Sequence, residues 1–230
     1  MTDQKELKDA RTPARNLALL LAGIIVLVLA ADQFVKIWVK THFYLGEQVE
    51  VTPWFYVKFI QNNGMAFGME LTSKLILTFG RIIAVGIFIW ALGQVLTCRQ
   101  LRTGFLISFA LIIAGAAGNV FDCVFYGEIF NNPPPPEVAT LFPEGGGYAG
   151  WFEGKVVDML YFPFFNFTWP EWVPGVGGET HEFFEYIFNI ADASISVGVL
   201  MLIIFYSADL GMAWRYLTEK IEKRKKSEKA

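Results

Sequence analysis

The sequence predicts an all-α integral membrane protein with four transmembrane helices, a small β-element and a long insertion outside the bilayer. Three observations carry this expectation. Of the 230 residues, 54% are hydrophobic and only 18% are charged, with a mean hydropathy of +0.41. That is too apolar for an ordinary soluble domain. Four apolar runs, 17–38, 75–96, 103–121 and 189–214, are close to the ~20 residues a helix needs to cross the hydrocarbon layer. The connections between them alternate in charge: the first residues, the 97–102 loop and the C-terminal tail are basic, whereas 122–188 is acidic.

Taken in order, residues 1–16 read as a polar cytoplasmic tail carrying Lys5, Lys8, Arg11 and Arg15. The run 17–38 exceeds a typical signal-peptide core and no small-residue cleavage site follows it, so it reads as the first span. Residues 41–73 read as extramembrane. Within them, 49–60 is rich in β-branched and aromatic residues around Pro53, which predicts short strands, and 62–68 is turn-rich. The second span, 75–96, holds Arg81 near its start, where a long side chain can carry its charge to the interface. A tight loop with Arg99 and Arg102 leads to the third span, 103–121. Small residues at 114–118 (Ala-Gly-Ala-Ala-Gly) allow close helix approach there.

The 122–188 connection reads as an irregular insertion, with four prolines at 133–136, three glycines at 145–147 and a Trp/Pro/Gly-rich stretch at 167–178. The fourth span is 189–214, and 215–230 is a basic tail with Lys220, Lys223, Arg224, Lys225, Lys226 and Lys229. Positive charge marks the cytoplasmic side, so both termini fall there and the acidic insertion falls outside. Cys98 and Cys123 then lie towards opposite faces, and no disulfide is expected between them.

Polar groups gather at the outer ends of the spans. A charged group within a bilayer costs about 2.5–3.5 kcal/mol on insertion scales, so such groups mark function. Asp158 closes Gly154-Lys155-Val156-Val157-Asp158, and Asp192 closes Phe188-Asn189-Ile190-Ala191-Asp192. Asp32 and Lys36 are four apart, at pairing distance on a helix. Asn119 and Asp122 are three apart, and Asn62 lies in the outer turn. Two carboxylates in one site share a proton. The ionised member can deprotonate water while the other donates to a scissile carbonyl, which is peptide hydrolysis.

Two readings from other classes stand beside it. An ion- or proton-coupled transport subunit would place carboxylates near mid-bilayer, with broken helices or internal repeats. A non-catalytic membrane scaffold would be indifferent to either aspartate. His42 and His181 have no second ligand at metal spacing, so no metal or cofactor is expected, and nothing points to nucleic acid.

In these motifs the chain resembles the lipoprotein signal peptidase (signal peptidase II) family. Asp32-Gln33-Phe34-Val35-Lys36 is similar to the family's D-Q-x-x-K, and Asn62-Asn63-Gly64-Met65-Ala66-Phe67 to N-x-G-x-A-F. Gly118-Asn119-Val120-Phe121-Asp122 is similar to G-N-x-x-D, Val156-Val157-Asp158 to V-V-D, and Phe188-Asn189-Ile190-Ala191-Asp192 to F-N-x-A-D. Each motif is weak alone; five in order on four spans are specific. The resemblance implies that Asp158 and Asp192 are a catalytic dyad, with Asp32, Lys36, Asn62, Gly64, Asn119, Asp122 and Asn189 lining or supporting it. It implies a metal-free aspartic endopeptidase of the bacterial inner membrane with its active site facing the periplasm. The β-element and the insertion would then be periplasmic. The implied substrate is a prolipoprotein with a diacylglyceryl-modified cysteine, held with membrane lipid and cut just before that cysteine. Two departures stand out. Cys123 occupies the position where the family has Arg, and the connections around Asp158 are long.

Overall fold

The computed structural model describes residues 2–63 and 74–227, with side chains from residue 15 onward. The order is α1 (Thr2–His42), β1 (Gln48–Thr52), β2 (Phe55–Asn62), α2 (Lys74–Val95), α3 (Thr103–Ile129), β3 (Val156–Tyr161), β4 (Phe165–Thr168), β5 (Thr180–Phe183), β6 (Ile187–Phe188), α4 (Ile190–Phe205) and α5 (Ser207–Ser227). The expectation of an all-α chain needs correction: the described residues hold six strands in two sheets. The chain divides into two compact units. One comprises the described residues of 1–31, 79–120 and 191–230; the other comprises those of 32–78 and 121–190.

The first unit is helical. Three helices, Arg15–His42 of α1, α2 and α3, are long and apolar enough to cross a membrane; α4 and α5 qualify only as a bent pair, turned by 93°. The polar stretch read as a tail is continuous with α1. Leu21, Leu92, Val95, Phe105, Leu106, Ile113 and Ala213 form the core. Leu27, Ile83, Ile203 and Ile204 face outward, each more than 60% exposed. Such an apolar exterior suits lipid rather than water.

The small residues of α3 do what their size allows. A Cβ on Gly115 would collide with the backbone oxygen of Ala191 and come 2.7 Å from Ile195 Cγ1, and one on Gly198 would come 2.7 Å from the Ser108 carbonyl. The Ser194 hydroxyl donates to the Leu111 carbonyl at 3.0 Å. Backbone cannot yield cheaply, so Gly115→Ala is expected to cost about 1–3 kcal/mol. A lowered thermal midpoint in detergent checks this; an unchanged one contradicts the close approach.

The apolar run read as 189–214 breaks at Tyr206. Composition cannot reveal this, because apolar residues continue to Trp214. A polar clamp holds the break. Arg102 donates to the Phe205 carbonyl freed at the end of α4 (2.6 Å). It also grips Asp209, in the first turn of α5, through its backbone N–H (3.0 Å), Nε (2.8 Å) and Nη2 (2.5 Å). The hydrogen bonds from Arg102 hold the Asp209 carboxyl below its ordinary value. A carboxylate with a depressed folded-state value stabilises the fold above its unfolded value, near 3.9, and that contribution is lost as pH falls towards the folded one. The stability gap between wild type and Asp209→Asn is therefore expected to be full at neutral pH and to shrink below about pH 4. Thermal unfolding across that range checks it; a gap that widens in acid contradicts it.

The second unit is built on an antiparallel sheet of order β1-β2-β3-β6. β1 and β2 are the strands expected within 41–73. The insertion supplies the rest: β3 pairs with β2 (Ile60 opposite Asp158, Asn62 opposite Val156), and β6 pairs with β3 (Leu160 opposite Phe188). Val39, Phe43, Phe59, Tyr126, Phe130, Val157 and Met159 close its core. The Trp/Pro/Gly-rich stretch lies in a separate hairpin of β4 and β5, where Phe165 stacks on Phe183 at 4.6 Å. α3 runs on to Ile129, past the expected end at 121. Cys98 and Cys123 are buried, and neither is in a disulfide.

Candidate functional site

The candidate residues divide between the two units. In the second, Asp158 lies on β3, flanked by strands on both sides and 2% exposed. A buried carboxylate needs a donor, and Asn189 provides one. Its Nδ2 donates to Asp158 Oδ1 at 2.6 Å and is 3.3 Å from the Val157 carbonyl. Asn189 is fully buried in the single step between β6 and α4.

A buried ion cluster braces the same strand. Lys36 Nζ lies 2.9 Å from Asp32 Oδ2 and 2.7 Å from Asp122 Oδ2, with all three side chains at most 1% exposed. The spacing of Asp32 and Lys36 thus gives a pair, as on any helix face, and Asp122 makes it a triad. Gln33 Nε2 donates to Asp122 Oδ1 (2.9 Å) and Asp32 Oδ2 (3.1 Å), and the Tyr126 hydroxyl donates to Gln33 Oε1 (2.9 Å). The Val157 N–H points to Asp122 Oδ2 at 3.3 Å. Asp122 therefore links Lys36 to the residue beside Asp158.

Gly154 makes this approach possible. Its N–H donates to the Cys123 carbonyl (2.8 Å), and a Cβ there would strike the backbone oxygen of Asp122. Asn62 ends β2 opposite Val156, two residues before Asp158. Gly64 lies outside the described residues.

In the first unit, Asp192 occupies the first turn of α4 and is half-buried. Asn119 Nδ2, from α3, donates to Asp192 Oδ1 at 2.7 Å. Each candidate aspartate thus accepts a hydrogen bond from an asparagine amide. A neutral donor fixes a carboxylate's orientation without adding charge.

Two residues escaped sequence reasoning. Gln33 stands within the D-Q-x-x-K motif, yet its bridging role depends on Asp122, 89 positions away. Lys40, one turn beyond Lys36, is buried; its Nζ has no hydrogen-bond partner among the described residues. The rings of Phe59, Phe130 and Tyr148 lie 5.7, 5.2 and 5.2 Å away, within cation–π range. Burial pushes the Tyr148 phenol up to about 12, so it stays neutral while accepting the Lys155 N–H at 2.6 Å.

Residues 24–208 match the family described as "Signal peptidase (SPase) II". A lipoprotein signal peptidase of Porphyromonas gingivalis is 48% identical over 185 residues, covering 80% of this chain and 81% of its own. One from Amoebophilus asiaticus is 33% identical over 191 residues, covering 79% and 75%. Two solved structures, each titled a bacterial membrane enzyme structure by the in meso method, share the fold. Their TM-scores are 0.53 and 0.55 at 24% and 23% identity, over 80% and 83% of this chain and 90% and 89% of theirs. The apolar helices, the paired aspartate–asparagine contacts and these likenesses converge: the chain is an integral membrane protein of the signal peptidase II family of aspartic-type peptidases.

Proposed function

We propose that the protein cleaves diacylglyceryl-cysteine prolipoproteins immediately before the modified cysteine, with Asp158 and Asp192 as the two reacting carboxylates. The observation that carries this reading is that each aspartate accepts a hydrogen bond from an asparagine amide, Asp158 from Asn189 and Asp192 from Asn119. The ionised aspartate takes a proton from water as its oxygen attacks the scissile carbonyl. The protonated one donates to the carbonyl oxygen. The tetrahedral intermediate then collapses, a proton passes to the leaving nitrogen, and the pair returns to its starting state. Asp32, Lys36 and Asp122 position β3, while Asn62, at the end of β2, and Gly64 contact the substrate.

Four spans, namely α1 from Arg15, α2, α3 and α4, leave both termini in the cytoplasm, where Arg99, Arg102 and the Lys220–Lys226 charges lie. The acidic 122–188 segment then faces the periplasm. A substrate held by its lipid chains and its signal helix would present its bond at that face of the inner membrane, among membrane lipid.

Incubation of the detergent-purified protein with a diacylglyceryl-modified prolipoprotein, with a chelator present, tests the reading. Mass spectrometry of the products is expected to find one cut, with the lipidated cysteine as the new N-terminus. A folded protein that leaves the substrate intact, or cuts elsewhere, contradicts it.

A further inference from the structure

α5 presents two unlike sides. Leu210, Trp214, Leu217 and Ile221 follow one another at spacings of four, three and four, so they form one row along the helix. Leu210 is 48% and Trp214 68% exposed, and Leu217 and Ile221 continue the row half-buried. Arg224 and Lys225 flank the end of the row. The opposite side is mixed: Met212, Arg215, Tyr216 and Glu219, with Arg99 and Gln100 of the α2–α3 loop, line a cavity of about 540 Å³. Neither Arg99 nor Arg215 forms an ion pair among the described residues. The helix leaves α4 at 93°, and the Arg102–Asp209 clamp fixes that departure. Residues 209–227 also lie beyond the part of the chain that matches the family, so the peptidase reaction does not account for them.

We infer that α5 is an interfacial helix that lies on the cytoplasmic surface of the bilayer and docks on anionic phospholipid. The inference rests on α4 crossing the membrane. A helix turned a right angle from a spanning helix runs along the bilayer plane. An apolar row with cations beside it and acidic residues away from it is what an anionic surface selects. The row supplies the apolar insertion, and Arg224 and Lys225, on either side of its end, face lipid phosphates; Lys220 is held instead on the Gln94 carbonyl at 2.9 Å. A soluble anion would gain nothing from the row, whereas a lipid surface uses both features.

Spin labels at single cysteines test this in the full-length protein reconstituted into vesicles. Cys98 and Cys123 are buried, and an unsubstituted control reads any label they take up. Trp214→Cys and Leu217→Cys labels are expected to collide with oxygen more than with a water-soluble nickel chelate. Glu219→Cys and Glu222→Cys labels are expected to show the reverse. The contrast is expected to be larger by roughly threefold in vesicles containing phosphatidylglycerol than in phosphatidylcholine alone, and Arg224→Gln with Lys225→Gln should remove that difference. Equal accessibility at all four positions overturns the inference. So does protection of the row that comes with dipolar broadening between labels and is lost on dilution with unlabelled protein, since that marks a second copy of the chain as the occupant. An identical contrast in both vesicle types overturns the anionic preference.

Discussion

Asparagine in place of Asp158 or Asp192 is expected to lower prolipoprotein cleavage by on the order of 10³-fold or more, with folding unchanged. The substitution is nearly isosteric. The amide oxygen still accepts the hydrogen bond from Asn189 or Asn119, so each local geometry survives. What the amide cannot do is hold and release a proton at the working pH. Single-turnover assays of the two variants, paired with thermal midpoints in detergent, check the expectation. Near-wild-type cleavage by either folded variant removes that residue from the chemistry. Cleavage by the wild type that is lost in the folded variants separates the peptidase from both other readings: a transport subunit or a scaffold would leave the substrate uncut, and a scaffold would not respond to a change confined to proton transfer.

The second large effect concerns stability. Lys36→Met is expected to destabilise the protein by about 3–5 kcal/mol, the usual consequence of removing one partner of a buried ion pair. Asp32 and Asp122 would lose the cation they share at 2.9 and 2.7 Å, and both carboxylates are at most 1% exposed. The triple variant Asp32→Asn, Lys36→Met, Asp122→Asn should regain part of the loss, because it removes the charges as well as the bridge. Thermal unfolding in detergent separates these cases. A single variant as stable as wild type would mean the triad carries little of the fold, and a triple variant worse than the single would mean hydrogen bonding, not charge, dominates.

Local patterns made the helices legible. The long apolar runs needed no distant information, and the small residues near Gly115 announced a close approach that the structure contains. The sheet was less legible. β1 and β2 read as strands from their own composition. β3 is a short apolar run ending in aromatics, and its partner β2 lies roughly a hundred positions earlier; β6 is only two residues long. Such strands exist because of pairing, which no local window records. The break at Tyr206 was hidden for a related reason: the Arg102–Asp209 clamp depends on two residues 107 positions apart.

The candidate site divided in the same way. Asp32 and Lys36 could be paired from spacing alone, but Asp122 joined them only through the fold. Asp158 and Asp192 were visible as carboxylates where carboxylates are costly. Their asparagine partners stand in the motifs beside other aspartates: Asn189 lies near Asp192 but bonds Asp158, and Asn119 lies near Asp122 but bonds Asp192. Gln33 and Lys40 carry no local signal, because a glutamine beside an aspartate and a lysine near a helix end are commonplace on surfaces. The close passage at Gly154 could not be read from a flanking coil, since any loop tolerates glycine.

The most direct test of the central claim is the pH dependence of kcat/KM for cleavage of a diacylglyceryl-modified prolipoprotein by the detergent-purified protein. Two carboxylates that divide one proton need one member ionised and the other protonated, so activity is expected to fall on both the acid and the alkaline side of a maximum. A rate that stays level through the acid limb while the protein remains folded would contradict the paired-aspartate account.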